Sequence, residues 1–89
     1  MKYTIHIDTG AAKSLAKMPR KVQRQIGRKI DALADDPFPT DSKSIKGAKD
    51  LYRIRSGNYR IAYKVKAGKL LILVIRIGHR KDFYCYFDR

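Results

Sequence analysis

The sequence predicts an α+β protein in which two helices pack on one face of an antiparallel sheet. Three observations support this fold class: an alternating N-terminal segment, two amphipathic segments interrupted by Pro19, and a second half rich in alternating or apolar segments. A chain of 89 residues has the size of one domain with one modest core. We therefore expect a single domain spanning residues 1–89.

Residues 2–7 form the predicted first strand, because apolar and polar side chains alternate there. Its apolar face consists of Tyr3, Ile5 and Ile7. Asp8 or Thr9 then caps a helix, since a short oxygen side chain accepts hydrogen bonds from the first helical turn. That helix is predicted over residues 11–18. Its apolar positions are Ala12, Leu15 and Ala16.

Pro19 separates this helix from a second one, because proline ends one helix and suits the first turn of the next. The second helix has an apolar stripe at helical spacing, with arginines and lysines on its other sides. The stripe consists of Val22, Ile26, Ile30 and Leu33. The segment Asp35-Asp36-Pro37-Phe38-Pro39 ends this helix.

The second half begins with a predicted β-hairpin, in which residues 51–55 and 59–66 are joined by a two-residue turn at Gly57-Asn58. The pairs in this register are Arg55 with Arg60 and Arg53 with Ala62. One face is then basic and the other apolar, as expected for a sheet that packs on helices. The basic face carries Arg53, Arg55, Arg60 and Lys64. The apolar face carries Tyr52, Ile54, Ile61 and Tyr63.

Further segments extend the sheet. Residues 69–77 are apolar on both sides, which is typical of a central strand. Residues 83–87 are expected to add a last strand, and residues 44–46 a short one before the hairpin. The prediction is an antiparallel meander of three or four strands, with the basic face turned away from the helices.

The charge of the chain is strongly unbalanced. It has 21 Lys and Arg against 8 acidic residues, all of them Asp, for a net charge of +13. Residues 51–89 contribute 10 − 2 = +8, and residues 1–50 contribute 11 − 6 = +5. Such an excess favours a polyanionic partner, and the second half is the expected contact surface.

Few residues suit metal or disulfide chemistry. Cys85 is the single cysteine, and His6 and His79 are the only histidines, so we expect neither a metal site nor a cofactor. No apolar run approaches the roughly 20 residues of a membrane span, and the N-terminus lacks the apolar core of a signal peptide. The expected location is the cytoplasm, without membrane association.

Two motifs resemble one known family. The segment LYRIRSGNYRIAY at residues 51–63 is similar to the central hairpin of RelE-type toxins. The segment IRIGHRKDFY at residues 75–84 is similar to the end of their last long strand. Lys46-Gly47, upstream of the hairpin, also fits, and the order of elements agrees over essentially the whole chain. The chain therefore resembles a RelE-like toxin.

The resemblance implies a toxin that cleaves mRNA in the ribosomal decoding site, beside rRNA, without a metal or cofactor. It also implies a cognate acidic RelB-like antitoxin, through which the toxin oligomerises. The catalytic residues carried over by position are Arg53, Arg55, Arg60, Arg80 and Tyr86, with Tyr84 as the alternative tyrosine. Tyr86 keeps the family's spacing from Gly78, whereas Tyr84 has the position found in its GHRxxxY variants. RNA contacts are expected from Lys46, Lys64, His79 and Lys81.

Metal-independent RNA cleavage needs a proton acceptor for the 2′-OH, cations for the charge developing at phosphorus, and an acid for the leaving 5′-oxygen. Guanidiniums suit phosphate oxygens, so the sheet arginines are the predicted charge stabilisers, and Arg80 assists them or the leaving group. Arg53 and Arg55 stand where the best-known members have lysine, and arginine does not act as a base near neutral pH. Tyr86 is the predicted base or base-orienting group, because nearby cations favour its phenolate.

Other interpretations stay open from the sequence. The arginines also fit a solvated sheet face, and Tyr84 or Tyr86 also fits edge packing or base stacking. Two further functions suit the same fold: a ParE-like toxin that inhibits DNA gyrase, and a non-catalytic RNA-binding module. The arginine cluster together with Arg80 and Tyr86 favours the ribonuclease.

Overall fold

A computed structural model describes residues 2–45, 47 and 49–79 of the chain. The elements are β1 (Thr4–Ile7), α1 (Thr9–Ala16), α2 (Arg20–Leu33), β2 (Lys43–Ser44), β3 (Leu51–Ser56), β4 (Tyr59–Lys66) and β5 (Leu71–His79), with a 3₁₀ turn at Ala67–Lys69. The predicted strand at residues 83–87 lies outside the described residues. So do the predicted site residues Lys46, Arg80, Lys81, Tyr84 and Tyr86.

Local contacts stabilise the start of α1 and connect the start of α2 to the end of α1. Asp8 is the N-cap of α1, and its carboxylate accepts a hydrogen bond from the backbone N–H of Gly10 (3.1 Å). Pro19 is the N-cap of α2. In the first turn of α2, the side-chain amide of Gln23 donates to the backbone carbonyl of Met18 (2.8 Å). This bond ties the start of α2 to the segment that follows α1.

Helix α1 begins two residues earlier than predicted, and its apolar face is partly different. Ala11 is buried and Leu15 is half-buried, four residues apart on one face. Ala12 and Ala16 are exposed, so their placement on the apolar face was wrong. Alanine is too small to set the orientation of a helix, and the larger Leu15 sets it instead. In α2 the predicted stripe is confirmed: Ile26, Ile30 and Leu33 are buried and Val22 is half-buried.

The strands form one five-stranded mixed sheet in the order β1-β5-β4-β3-β2. Neighbours among β2, β3, β4 and β5 are antiparallel, which confirms the predicted meander for β3, β4 and β5, and β2 extends it beyond β3. Strand β1 joins the edge of β5 in parallel, and the long connection between these two strands contains both helices and strands β2, β3 and β4. The short strand β2 begins one residue earlier than expected, at Lys43.

The β3–β4 hairpin has the predicted register, with Arg55 opposite Arg60 and Arg53 opposite Ala62. Its turn includes Gly57 at a φ of 60°, a conformation that glycine adopts without steric cost. Because side chains alternate along a strand, the three arginines project from the same face of the sheet.

A β-bulge interrupts the alternation of β5. Ala62 pairs with Arg76, but the next residue of β4, Tyr63, pairs with Val74, so Ile75 is the extra residue. Without the bulge, Arg76 would share a face with Val74, inside the core. The bulge places it opposite Ala62, on the same face as the sheet arginines.

The helices cover the other face of the sheet, where the core lies. The buried cluster consists of Ala11, Ile26, Ile30, Leu33, Ile54, Ile61, Tyr63, Val65, Ile72, Val74 and Ile77. Tyr52 and Tyr59 pack against this cluster, so the core role predicted for Tyr52 is confirmed. Across residues 2–45, 47 and 49–79, neither helix has the length and apolarity that a membrane span requires.

Candidate functional site

A cavity of about 130 Å³ lies beside the basic face of the hairpin. Among the described residues, its lining consists of Asp41, Lys43, Arg53, Arg55 and Arg60. Four cations and one carboxylate give this lining a net charge of 4 − 1 = +3. A volume of this size holds several water molecules and so has room for a phosphate group. The cavity is therefore a candidate anion site.

The pairing of the strands brings the cations together. Arg55 and Arg60 are directly opposite on β3 and β4, and Arg53 is opposite Lys43 of β2. Like charges in directly opposed positions destabilise a sheet. The pairing therefore concentrates positive charge at the cavity, which attracts an anionic ligand.

Arg60 differs from the other cations in its burial. Only 4% of its surface is exposed, whereas Arg53 is half-buried and Arg55 is exposed. Its Nη1 donates to the backbone carbonyl of Tyr59 (3.3 Å). Arg60 is thus the least accessible arginine of the cavity lining, and Arg53 and Arg55 are more accessible.

Asp41 is the carboxylate of the cavity, and it lies in the loop before β2. Its Oδ2 accepts a hydrogen bond from Nζ of Lys29 on α2 (3.0 Å). This bond is the main reason why the pKa of Asp41 lies below its ordinary value, and a backbone hydrogen bond from Arg55 acts in the same direction. Partial burial opposes the shift. Asp41 is therefore ionised at neutral pH.

Asp41 and Lys43 were not among the residues predicted from the sequence. Lys43 could have been predicted from the sequence, because it lies opposite Arg53 once the short strand before the hairpin is placed correctly. Asp41 could not, since it belongs to an irregular loop and reaches the cavity only through the folding of the chain.

The family comparison supports the resemblance found in the sequence. The family model described as ParE toxin of type II toxin–antitoxin systems matches residues 5–84, which is most of the chain. The chain belongs to the RelE/ParE toxin family.

Relatives of this family resemble the chain along nearly its whole length. The mRNA interferase toxin RelE of Escherichia coli is 30% identical over 90 residues, covering 99% of this chain and 94% of the relative. Putative toxin RelE1 of Methanocaldococcus jannaschii is 29% identical, covering 94% of this chain and 97% of the relative. The RelE–RelB complex of Pyrococcus horikoshii contains a chain that is 29% identical, with a TM-score of 0.81 and coverage of 90% and 97%. This RelE-like toxin therefore has the fold of its family.

Two other predicted contact residues of this RelE-like toxin lie apart from the cavity lining. Lys64 is two residues beyond Ala62 on the same face of β4, and it is half-buried. His79 ends β5, where its ring packs edge-to-face on Tyr59 with a centroid distance of 5.6 Å. The structure thus brings together Arg53, Arg55 and Arg60 but not Lys64 or His79.

In the described part of this RelE-like toxin, no group of three or more histidine, cysteine or acidic side chains is placed to hold a metal ion. The cavity itself has a positive lining, which disfavours a cation there.

Proposed function

We propose that this chain is the toxin of a toxin–antitoxin system and a metal-independent endoribonuclease that cleaves mRNA on the ribosome. The observation that carries the proposal is a cavity lined by guanidiniums from two neighbouring strands. Forked guanidinium groups match the geometry of phosphate oxygens. Relatives named mRNA interferase, 30% identical over nearly the whole chain, support the same activity.

In the proposed reaction, the 2′-oxygen of one ribose attacks the adjacent phosphorus, and the bond to the 5′-oxygen of the next nucleotide breaks. Negative charge builds on the phosphoryl oxygens during this step. Arg53, Arg55 and Arg60 stabilise that charge, which is the largest contribution that a site of fixed cations can make. The buried Arg60 is the best preorganised of the three, because its side chain needs little reorientation when the phosphate binds.

The remaining roles stay predictions from the sequence. Arg80 is proposed to assist the arginine cluster or the leaving oxygen. Tyr86, or alternatively Tyr84, is proposed to accept the proton of the 2′-OH or to orient its acceptor. RNA contacts outside the cavity are proposed for Lys46, Lys64, His79 and Lys81.

The proposed substrate complex includes the ribosome. A chain with few acid–base groups gains most when its substrate is held in a reactive geometry, and such alignment can lower a barrier by several kcal/mol. The decoding site, with its rRNA, is the proposed source of this alignment.

The proposed partner is an acidic antitoxin related to RelB. Relatives of this chain have been solved in complexes named RelE–RelB and RelBE. The net charge of 10 − 2 = +8 on residues 51–89 attracts an acidic segment to the surface that carries the cavity. Oligomerisation is proposed to occur through the antitoxin.

The test is primer extension on an mRNA in programmed ribosomes. Wild type is expected to produce defined cuts, and Arg60→Ala to reduce the rate by about 100-fold or more, as loss of a preorganised charge stabiliser does. The matched control is Lys66→Ala, which removes a charge from the same strand at an exposed position outside the cavity lining. A 2′-deoxy substitution at the cut position is expected to abolish cleavage. Equal rates for Arg60→Ala and Lys66→Ala would contradict the proposal.

A second function, inhibition of DNA gyrase, is favoured by the ParE description of the matching family model. Expression of the toxin in cells separates the two functions. The ribonuclease is expected to arrest translation before any DNA damage, whereas a gyrase inhibitor causes DNA damage first. Binding of RNA without cut ends would instead indicate a non-catalytic RNA-binding module.

A further inference from the structure

The cavity contains a carboxylate, which is the type of group that the arginine cluster lacks. Guanidiniums stay protonated near neutral pH and accept no proton from a 2′-OH. Asp41 lines the same cavity, and an ionised carboxylate is a proton acceptor. The lining thus combines charge stabilisers with a base at one place.

We propose that Asp41 is the catalytic base that accepts the proton of the attacking 2′-OH. This inference rests on the proposed ribonuclease function and deepens it. Asp41 accepts the proton, which leaves Tyr86 or Tyr84 the orienting role.

The loop that carries Asp41 is fixed from several sides. The hydroxyl of Tyr63 donates to the carbonyl of Pro37 (2.7 Å) in a buried hydrogen bond. The backbone N–H of Ser42 donates to the carbonyl of Pro39 (2.9 Å). Lys29 binds Oδ2 of Asp41 itself. A carboxylate has about four acceptor positions, so these contacts orient the group and leave capacity for the substrate hydroxyl.

The surrounding charges explain how this carboxylate can act near neutral pH. The charged and titratable groups around it are Lys29 of α2, Lys43 of β2, Arg53 and Arg55 of β3, and Arg60 and Tyr63 of β4. The hydrogen bond from Lys29 holds the pKa of Asp41 below its ordinary value, so Asp41 is ionised before RNA binds. A bound phosphodiester then brings a negative charge into the cavity, which raises the pKa of Asp41 and makes it a stronger base. Binding of the substrate therefore increases the basicity of Asp41.

The proton of the 2′-OH moves to the carboxylate of Asp41, and the 2′-oxygen forms a bond to phosphorus. The bond from phosphorus to the 5′-oxygen breaks, and the leaving oxygen takes a proton from water. The products are a 2′,3′-cyclic phosphate and a 5′-hydroxyl, and Asp41 returns its proton to solvent.

The experiment measures single-turnover cleavage of a labelled mRNA in programmed ribosomes between pH 6.5 and 8.5. Asp41→Asn keeps the size and one hydrogen-bond acceptor but removes the base, and we expect it to lower the rate by about 100-fold at the lower pH. In Asp41→Asn, hydroxide from the solvent replaces the missing carboxylate as the base. The ratio of the wild-type rate to the Asp41→Asn rate is therefore expected to fall by about tenfold per pH unit.

Two further variants separate a base from a structural residue. Asp41→Glu keeps a carboxylate and is expected to retain the wild-type pH profile. Asp31→Asn makes the same chemical change at an exposed position of α2 and is expected to cleave at the wild-type rate. The ion pair of Asp41 is exposed on both sides, so Asp41→Asn is expected to keep the wild-type urea midpoint.

The outcomes are distinguishable. A wild type that produces no cuts overturns the ribonuclease proposal and this inference together. If wild type cleaves and Asp41→Asn cleaves at the same rate, only the inference fails. A slower Asp41→Asn whose rate ratio to wild type does not change with pH assigns Asp41 a structural role and also overturns it.

Discussion

Tyr63 connects the buried core to the loop at the candidate site. Its side chain is fully buried, and its hydroxyl donates to the carbonyl of Pro37, four residues before Asp41. Burial raises the pKa of Tyr63 to about 12, because the charged phenolate is poorly solvated in the core. Tyr63 is therefore neutral at physiological pH and acts as an anchor, not as an acid or base of the site.

The stability of the protein is expected to fall as the pH rises from 10 to about 12, because the unfolded chain loses the Tyr63 proton first. The contribution of Tyr63 to the free energy of unfolding is constant below pH 10 and declines by at most about 1.4 kcal/mol per pH unit above it. Urea unfolding at pH 8, 10 and 11 measures this decline. Tyr63→Phe is expected to lack it and to be less stable by about 1–3 kcal/mol at pH 8, since the Pro37 carbonyl loses its partner.

The matched control is Tyr52→Phe, which removes a hydroxyl from the half-buried ring that stacks on Tyr63. Its stability at pH 8 is expected to stay within about 0.5 kcal/mol of wild type. An identical decline above pH 10 in wild type and Tyr63→Phe would show that another group causes it.

At the scale of elements, the hairpin was the part of the site that the sequence predicted best. A two-residue turn and the alternation of its flanking strands determine the register, and a slip by one residue would turn Ile54 and Ile61 out of the core. These signals are local, so the common face of Arg53, Arg55 and Arg60 was predictable.

Non-local features were not predictable in the same way. The bulge that turns Arg76 to the basic face is one extra residue in an otherwise apolar strand, and a charged residue at a core-facing position signals an irregularity without locating the extra residue. Asp41 reaches the cavity because Lys29 and Tyr63, distant in sequence, hold its loop. Such contacts follow from the packed fold and leave no pattern along the chain.

The turn of the hairpin provides a matched pair of glycine substitutions. Gly57 has a φ of +60°, whereas Gly68 is outside this left-handed region, and a Cβ added at either position meets no atom within 4 Å. Gly57→Ala is therefore expected to destabilise the protein by about 1–2 kcal/mol through backbone strain alone. Gly68→Ala is expected to be close to neutral. Thermal unfolding checks both, and equal stability of the two variants would contradict this account of the turn.

On the scale of the whole molecule, basic residues occur on more than one surface. Arg20 and Arg24 are exposed on α2, one helical turn apart, whereas Arg53 and Arg55 line the cavity on the sheet. Long-range attraction by a net charge of +13 depends little on which of these residues supplies the charge. Short-range binding of a phosphate does depend on it, because the cavity gathers three guanidiniums from two paired strands, whereas Arg20 and Arg24 are two guanidiniums on one helix.

Two charge-matched double variants separate these contributions. Arg53→Ala with Arg55→Ala, and Arg20→Ala with Arg24→Ala, each lower the net charge to 13 − 2 = +11. We expect the sheet variant to bind a single-stranded RNA oligonucleotide more weakly than the helix variant. Its slope of log affinity against log salt is expected to be shallower by about 1.4, the loss of two phosphate contacts at about 0.7 each. Fluorescence anisotropy across a series of KCl concentrations measures both quantities. Equal affinities and slopes for the two variants would mean that RNA senses only the total charge and that the cavity is not its binding site.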